Sequence, residues 1–432
     1  MARIRKKLGG WGMSSEACFL QDVAEVVDSL HKTPHYSEFG QSMVRVTDVK
    51  YGELDLSKTF RVDAEVFAEF SRRYKPSRGD IIITRVGTYG VFGKVLDTNF
   101  CLGQNTAAII PKTIAPDYLY AVLNSDFVKS QIESSVVGST QKTLSLKAIK
   151  ALQIPRFRPS QELVIGSLGA TFDDRITILR ETNTTLEAIA QALFKSWFED
   201  FDPVHAKMQG RTPEGMDEAT AALFPYSFEE SELGPVPKGW RVTSIYDVAK
   251  VIYGAPFASK QFKPLPPGKP LVRIRDLKDE RPGVYTEEMH LKGYLIQPGD
   301  ITVGMDGEFR AYLWGGEEAW LNQRVCVFQP VNGANSVFLR SSISPLLAAV
   351  EASETATTVI HLGKNDIDRF KVFHPGNLLL ESFASVTTPI YQRVIRNKQM
   401  IQNLAGLRDT LLPRLISGQI LISDVQIETQ AA

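Results

Sequence analysis

The sequence has few cysteines, no long apolar run and no excess of either charge. Cys18, Cys101 and Cys326 stand too far apart for a disulfide framework or a C-x-x-C site, which fits a reducing, cytoplasmic compartment. No apolar run reaches the roughly 18 residues that cross a bilayer. The basic start at residues 3–7 is followed by no apolar segment, so we expect no signal peptide. With 43% hydrophobic and 23% charged residues, the composition excludes disordered and fibrous classes.

Motifs of catalysis are also missing. There is no G-x-x-x-x-G-K-[ST] for ATP hydrolysis, no G-x-S-x-G elbow, and no metal-ligand spacing among the six histidines. The Asn/Asp-Pro-Pro-aromatic tetrad of amino-methyltransferases is absent as well. The pairs Asp48/Lys50 and Asp276/Lys278 leave a phosphodiesterase open, but metal-dependent cleavage needs further carboxylates, and none stands at a fixed spacing. A salt-bridged turn at a strand end is the preferred interpretation.

The balance of 49 basic and 49 acidic residues argues against a simple basic nucleic-acid coat protein. The net charge of zero is, however, the sum of an acidic segment and a basic remainder of the chain. Residues 199–235 carry nine acidic and two basic residues, and the rest of the chain has a net charge of +7. Because the acidic segment also contains several prolines and glycines, it is interpreted as a surface linker between two halves.

The two halves are related by an internal duplication. The clearest matches pair residues 45–50 with 273–278, 76–81 with 297–301 and 102–104 with 321–323. The offset falls from 228 to a constant 218, as expected when loops differ in length. Coincidence among common Gly-Asp and valine-rich strands is the alternative. Each repeat begins with short β-like runs, turn residues and helical stretches, a mixture that predicts an α+β globule.

A long helix with a heptad pattern ends each repeat. The apolar positions are Ile165, Phe172, Leu179, Leu186 and Leu193 with Leu168, Ile176, Ile189 and Trp197 in the first copy, and Phe383, Ile390, Leu404 and Leu411 with Val386, Val394, Ile401, Leu407 and Leu415 in the second. We expect the two helices to pack on each other, with Asn397, Thr182 and Asn183 fixing their register. The alternative is that each stripe covers its own globule.

These patterns predict seven segments. They are a basic tail (1–18), a first α+β domain (19–158), a central helix (159–200), an acidic linker (201–238), a second α+β domain (239–376), a C-terminal helix (377–418) and a tail (419–432). A duplicated chain without catalytic motifs indicates bivalent recognition of a long ligand. Duplex DNA fits, since modest basic patches suffice for phosphate contact. The patches comprise Arg72, Arg73, Lys75 and Arg78 in the first globule and Arg273, Arg275, Lys278 and Arg281 in the second.

Several segments resemble the specificity subunit of type I restriction-modification systems. Residues 192–204 (ALFKSWFEDFDPV) are similar to that family's central region, and residues 411–420 (LLPRLISGQI) to its C-terminal counterpart. The Gly-Asp-Ile strand starts and residues 138–142 fit its target-recognition domains. Residues 233–240 (LGPVPKGW) resemble the lead-in to the second such domain. The resemblance covers roughly residues 19–420.

This resemblance implies two similar α+β target-recognition domains separated by two long helices packed as an antiparallel coiled coil. Each domain would read one half of a split DNA sequence, and the helices would set the gap. The helical body would dock methyltransferase (modification) subunits, and a separate restriction subunit would act as the motor. S-adenosylmethionine, ATP and Mg are then expected on partner subunits and no cofactor on this chain, which would be non-catalytic and cytoplasmic, without membrane contact.

The bases would be read by polar side chains in glycine-rich loops, because an amide pairs bidentately with adenine and Arg with guanine. The candidates are Thr84, Arg85, Thr88, Tyr89, Lys94, Gln104 and Asn105 in the first domain, and Asp306, Glu308, Arg310, Tyr312, Gln323 and Arg324 in the second. Arg273 and Arg275 of the second basic patch are also predicted to bind DNA. Gln141 and Lys142 are predicted to contact phosphate. For each residue the alternative is a solvated loop side chain.

The aromatic cluster Phe194, Trp197 and Phe198 at the end of the first helix is predicted to pack partly within the chain and partly against a methyltransferase subunit. A purely intrachain core is the alternative. From another functional class, a bivalent protein-binding adaptor without a DNA role also remains open. Basic residues should line one face of both globules in a DNA-binding protein and scatter in an adaptor.

Overall fold

A computed structural model describes residues 16–138, 142–232, 234–353 and 360–420. Gln141 of the predicted site, residues 1–15 of the basic tail and residues 421–432 of the C-terminal tail lie outside the described residues. The chain divides into two compact units, residues 1–176 with 404–432 and residues 177–403. The division falls within both long helices, so each unit holds one α+β domain and one part of each helix.

The α+β domain of the first unit alternates short strands and short helices. Its elements are β1 (Glu16–Phe19), α1 (Leu20–Val23), β2 (Ala24–Asp28), β3 (Gln41–Val44), β4 (Gly52–Glu53), β5 (Phe60–Val62), α2 (Ala64–Phe70), β6 (Ile81–Thr84), β7 (Phe92–Lys94), β8 (Phe100–Leu102), β9 (Thr106–Pro111), α3 (Pro116–Leu123), α4 (Asp126–Ser135), α5 (Leu146–Lys150) and β10 (Gln153–Arg156). The first long helix, α6 (Pro159–Phe198), follows.

Strand β6 is the middle strand of its sheet, and side chains pack against both of its faces. It lies in a five-stranded sheet of order β2-β9-β6-β7-β4, beside a three-stranded sheet of order β5-β3-β8. Ile81 and Ile83 pack in the cluster that contains Tyr118 of α3, and Ile82 packs in a separate cluster with Phe100. Such a strand is an unbroken apolar run instead of an alternating one, as its Ile-Ile-Ile sequence indicates.

The second unit contains the remaining elements. They are α7 (Asp202–Met208), α8 (Glu218–Ala222), β11 (Phe228–Ser231), β12 (Gly234–Pro237), β13 (Arg241–Ser244), β14 (Ala249–Tyr253), β15 (Lys269–Val272), β16 (Tyr285–Thr286), β17 (Leu295–Ile296), β18 (Ile301–Gly304), β19 (Ala311–Leu313), β20 (Ala319–Leu321), β21 (Val325–Pro330), α9 (Ser336–Ser353), α10 (Lys364–Ile367) and β22 (Lys371–His374). The second long helix, α11 (Asn377–Ile416), begins here and ends in the first unit.

The two domains share one topology, which confirms the duplication predicted from the sequence. The order β2-β9-β6-β7 of the first unit matches β14-β21-β18-β19 of the second. The parallel pair β3–β8 matches β15–β20, and the antiparallel pair β1–β10 matches β13–β22. The register agrees as well, because Ala24 lies opposite Pro111 and Ala249 opposite Pro330.

The long helices pack antiparallel within each unit, as the resemblance implied. In the second unit, Asn397 donates a 2.8 Å hydrogen bond to Asn183, and the rings of Phe198 and Phe383 lie 4.9 Å apart. A residue at the C-terminal end of α6 thus contacts a residue near the N-terminal end of α11. In the first unit, Arg408 of α11 donates at 2.7 Å to Asp173 of α6.

The seam between the helices differs from the apolar stripe predicted. Ile189, Val386 and Leu407 are 46%, 47% and 52% exposed. Buried polar residues take neighbouring positions: Thr387 accepts a hydrogen bond from Asn335, and Asn183 pairs with Asn397. Apolar spacing misplaced these three positions, because it ignores polar side chains whose partners come from elsewhere in the chain. Other positions of the predicted stripe, among them Leu179, Phe383 and Val394, are buried.

The acidic segment is a folded part of the second unit and not the extended surface linker that its composition predicted. Val204, Phe224 and Val236 are buried in the core of that unit. Asp217 caps α8 by accepting a 2.8 Å hydrogen bond from the backbone N–H of Thr220, which satisfies one of the free donors at the helix start. The acidic side chains therefore belong to a segment that is folded onto the second unit.

Candidate nucleic-acid interface

Three backbone segments of the first unit meet at the end of β6. The N–H of Arg85 donates to the carbonyl of Asn105 at 2.9 Å, and the N–H of Gly87 donates to the carbonyl of Lys142 at 3.2 Å. The loop after β6 turns sharply at Gly87, whose φ of +73° disfavours residues with a side chain. We call the described polar residues of these segments, Thr88, Tyr89, Gln104, Asn105 and Lys142, the first loop surface.

A chain of polar contacts organises part of the first loop surface. The Tyr89 hydroxyl lies 3.0 Å from a carboxylate oxygen of Glu133 and accepts from Lys142 Nζ at 3.2 Å. This hydrogen bond raises the pKa of the exposed Lys142, an amine that is charged at neutral pH in any case. Thr88 is exposed on the same loop. A cation, hydroxyls and amides are therefore presented on segments held together by backbone hydrogen bonds.

Three predicted base readers of the first domain are not available to a base, which corrects the prediction for them. Thr84 is fully buried, and its Oγ1 accepts a 3.0 Å hydrogen bond from the N–H of Val91. The Arg85 guanidinium is buried against Asp28. Lys94, in β7, forms a 2.9 Å ion pair with Asp117. A polar residue beside a glycine-rich loop can thus stabilise the loop through buried contacts instead of contacting a ligand.

The second unit builds the same arrangement with different side chains. The N–H of Met305 donates to the carbonyl of Arg324 at 2.9 Å, and the N–H of Gly307 donates to the carbonyl of Ile360 at 3.1 Å. Gly307 again has a positive φ, of +80°. We call the polar residues of these segments, Asp306, Glu308, Arg310, Gln323, Arg324 and His361, the second loop surface.

Charged contacts dominate the second loop surface. Asp306 accepts from His361 Nδ1 at 2.8 Å and from Arg324 Nη1 at 3.4 Å. Arg310 forms a 2.6 Å ion pair with Glu351 of α9, which lowers the pKa of that carboxyl.

Two predicted readers, Glu308 and Gln323, are exposed, and Tyr312 is half-buried in β19, where burial raises its pKa. Sequence reasoning missed His361, because it stands 55 residues from Asp306 and no local spacing marks the pair.

A short 3-10 turn, Ile274–Asp276, lies beside the second loop surface; Arg273 precedes it and Arg275 lies within it. A Cβ placed on Gly304, at the end of β18, would lie 3.1 Å from Ile274 of this turn. The Arg273 guanidinium is fixed by a 3.0 Å pair with Asp276, whereas Arg275 is exposed. Of the two, Arg275 is the one presented to a ligand.

The carboxylates considered for phosphodiester cleavage are occupied by arginines. Asp48 accepts from Arg45 at 3.0 Å, as Asp276 does from Arg273 at the equivalent place. No group of three or more His, Cys, Asp or Glu side chains that could hold a metal ion occurs in the described parts of the chain. The salt-bridged turn is therefore the interpretation that the geometry supports.

The predicted partner-binding aromatics form a core. Phe194, Trp197 and Phe198 are all buried, and the rings of Phe338 and Phe383 lie 5.1 and 4.9 Å from that of Phe198. Edge-to-face pairs at such distances stabilise an interior. This geometry favours the purely intrachain alternative over the prediction that the cluster packs partly against a methyltransferase subunit.

Two copies of a loop-bearing domain, combined with two long antiparallel helices, define a duplicated recognition protein. The chain belongs to the family of the type I restriction modification DNA specificity domain, whose model matches residues 18–188 and 237–376. None of the helices over the described residues is long and apolar enough to cross a membrane.

Individual relatives are similar over most of the chain. The type I restriction enzyme MjaIX specificity subunit of Methanocaldococcus jannaschii is 26% identical over 83% of this chain and 81% of its own length. The HindI specificity subunit of Haemophilus influenzae is 24% identical over 79% of this chain and 87% of its own. A crystal structure of a type I restriction-modification S subunit from M. genitalium shares the fold, with a TM-score of 0.56, 14% identity and coverage of 95% and 97% of the two chains.

Proposed function

We propose that this chain is the DNA-reading subunit of a type I restriction-modification complex and that each α+β domain reads one half of a split duplex target. The observation that carries the proposal is the loop surface, which is built twice on the same backbone hydrogen bonds but with different side chains. Loops of this kind enter the major groove, where all four base pairs are distinguishable. The two surfaces then read half-sites of different sequence.

The two surfaces divide their contacts between phosphate and bases. Lys142 and Arg275, which are exposed cations, contact phosphates and fix the position of the protein on the duplex. Thr88, Gln104 and Asn105 contact bases in the first half-site, and Glu308, Gln323 and Arg324, which are exposed, contact bases in the second. The buried Thr84 and Arg85 hold the first loop in place.

The chain acts without a catalytic site of its own and assembles with methyltransferase subunits and a restriction subunit. S-adenosylmethionine, ATP and Mg belong to those partners in this proposal. The docking surface for the methyltransferase is the outer face of the helices, where Ile178, Ile189, Val386 and Met400 of the second unit are each about half exposed. Exposed apolar residues that recur along a helix are typical of an interaction site.

The proposal is tested by mapping methylated adenines in DNA treated with the complete complex. We expect a split motif with two half-sites and a fixed gap. A single continuous motif, or methylation without sequence preference, would contradict the proposal. Docking is tested separately by co-purification: Ile189→Asp combined with Val386→Asp should release the methyltransferase. Glu199→Gln and Glu230→Gln, which change exposed residues outside that face, provide the control.

A further inference from the structure

Three segments of the second unit bring Arg324, Asp306 and His361 together. Asp306 comes from the loop after β18, Arg324 from the turn between β20 and β21, and His361 from the segment before α10. One carboxylate oxygen of Asp306 accepts both from His361 Nδ1, at 2.8 Å, and from Arg324 Nη1, at 3.4 Å. The imidazole therefore fixes the carboxylate oxygen that also accepts from the guanidinium.

Most N–H donors of the Arg324 guanidinium remain available for a ligand. Its side chain is 55% exposed, and the contact with Asp306 uses only Nη1. Nε and Nη2 have no partner within the described parts of the chain. A guanidinium has five N–H donors in a rigid fork, so the free edge still offers two parallel donors. Guanine presents two acceptors, O6 and N7, at matching spacing in the major groove.

The other arginines on or beside the second loop surface are less suited to base contact. Arg310 Nη1 donates to Glu351 at 2.6 Å and to the carbonyl of Phe309 at 3.0 Å, which draws it towards α9. The Arg273 guanidinium donates two hydrogen bonds, from Nε and Nη2, to Asp276, so this edge is occupied. Arg275 is exposed, and no side chain among the described residues orients it, as suits a phosphate contact. Arg310 also uses only Nη1, but its ion pair holds it to α9, whereas the one carboxylate that contacts Arg324 belongs to the second loop surface itself.

We propose that Arg324 reads a guanine in the second half-site and that Asp306, fixed by His361, is the positioning residue for its guanidinium. The inference rests on the proposed function and adds the base and the two residues that prepare the contact. A guanidinium oriented before binding loses less rotamer entropy on contact, so the pair favours guanine more strongly than a free Arg would.

The first unit does not repeat this arrangement of an arginine, an aspartate and a histidine. At the equivalent positions, offset by 219, 220 and 218 residues, it has Asn105, Val86 and Thr143. A valine cannot orient a neighbour by charge, and Asn pairs with adenine and not with guanine. The guanine contact is therefore specific to the second half-site.

The test uses the complex with its methyltransferase subunits and selection from duplexes randomised at every position. With Arg324→Ala, we expect the preference for guanine at one position of the second half-site to fall about tenfold or more, with the first half-site unchanged. Arg324→Lys keeps the charge but not the fork, so it should lose most of the same preference. Asp306→Ala and His361→Ala should weaken preference at that same position by smaller factors.

Controls separate the possible outcomes. Arg369→Ala removes another exposed arginine of the second unit and should leave the motif intact. If Arg324→Ala weakened all sequences equally and left the motif unchanged, Arg324 would be a phosphate contact and the inference would be wrong. If Asp306→Ala left guanine preference unchanged, the positioning role would fail. A native complex that selects no split motif would instead overturn the proposed function itself.

Discussion

Arg85 and Asp28 form an ion pair beneath the first loop surface, and each side chain is less than one fifth exposed. The Arg85 guanidinium also donates to the carbonyl of Leu144 at 3.2 Å. Asp28→Ala leaves this cation buried without its counter-charge, so we expect a loss of about 3 kcal/mol in the free energy of unfolding by urea. His31→Ala removes the other, exposed partner of Asp28 and should cost about 1 kcal/mol or less. Equal losses in the two variants would contradict the assignment.

The cysteines provide a second prediction at the residue scale. Burial raises the pKa of Cys101 and of Cys326 to about 12, and it raises the pKa of the half-buried Cys18 as well. The thiolate is the reactive form, so at pH 8 only a very small fraction of these thiols can react. We expect Ellman's reagent to label neither Cys101 nor Cys326 in the native chain. All three thiols should react in denaturant; rapid native labelling of two or more would be inconsistent with this burial.

At the scale of elements, the antiparallel helices of the second unit depend on a buried amide pair. Asn397 donates to Asn183, which donates in turn to the carbonyl of Val394 at 3.3 Å. Asn397→Leu leaves the Asn183 oxygen without its partner, so we expect a loss of about 1–3 kcal/mol in the free energy of unfolding.

The double variant with Asn183→Leu removes both polar groups and should recover much of that loss, because no buried polar group is then unpaired. A urea double-mutant cycle measures the coupling between the two positions. Additive losses would mean that the amides do not depend on each other.

The helices also show what spacing can and cannot predict. The heptads located both helices. Asn397 and Asn183, predicted to fix the register, bond across the seam, whereas Thr182 donates to the carbonyl of Ile178 in its own helix. The stripe nevertheless assigned Ile189 to the seam, where Ala190 lies instead. A shift of one residue rotates a helix by about 100°, and apolar periodicity does not resolve that angle when buried polar residues share the seam.

For the whole molecule, the duplication was the most informative signal. Matching Gly-Asp turns and strand patterns predicted two α+β domains, because repeats preserve the core residues that set topology. The loop surfaces were harder to predict. Glycine-rich loops were located, but spacing could not distinguish the exposed Thr88 from the buried Thr84, nor bring His361 to Asp306. Such pairs form only when distant segments meet, and no local pattern encodes them.

The helices offer the sharpest test of the proposed split target. We expect one heptad inserted after Ile176 in α6, and another after Asn403 in α11, to preserve the phase of the seam and lengthen each helix by about 10 Å. At 3.4 Å per base pair, the gap between half-sites should grow by about three base pairs while both half-sites stay the same. Selection from duplexes with variable gaps measures this directly.

Four-residue insertions at the same places are the matched control. They change helix length but shift the seam out of phase, so we expect them to abolish selective binding instead of resetting the gap. Three added base pairs also rotate the second half-site by about 100° around the duplex, since a turn takes about 10.5 base pairs. The heptad variant should therefore bind its new target more weakly than the native chain binds the original. Recovery of the original gap would mean that the helices do not set the spacing.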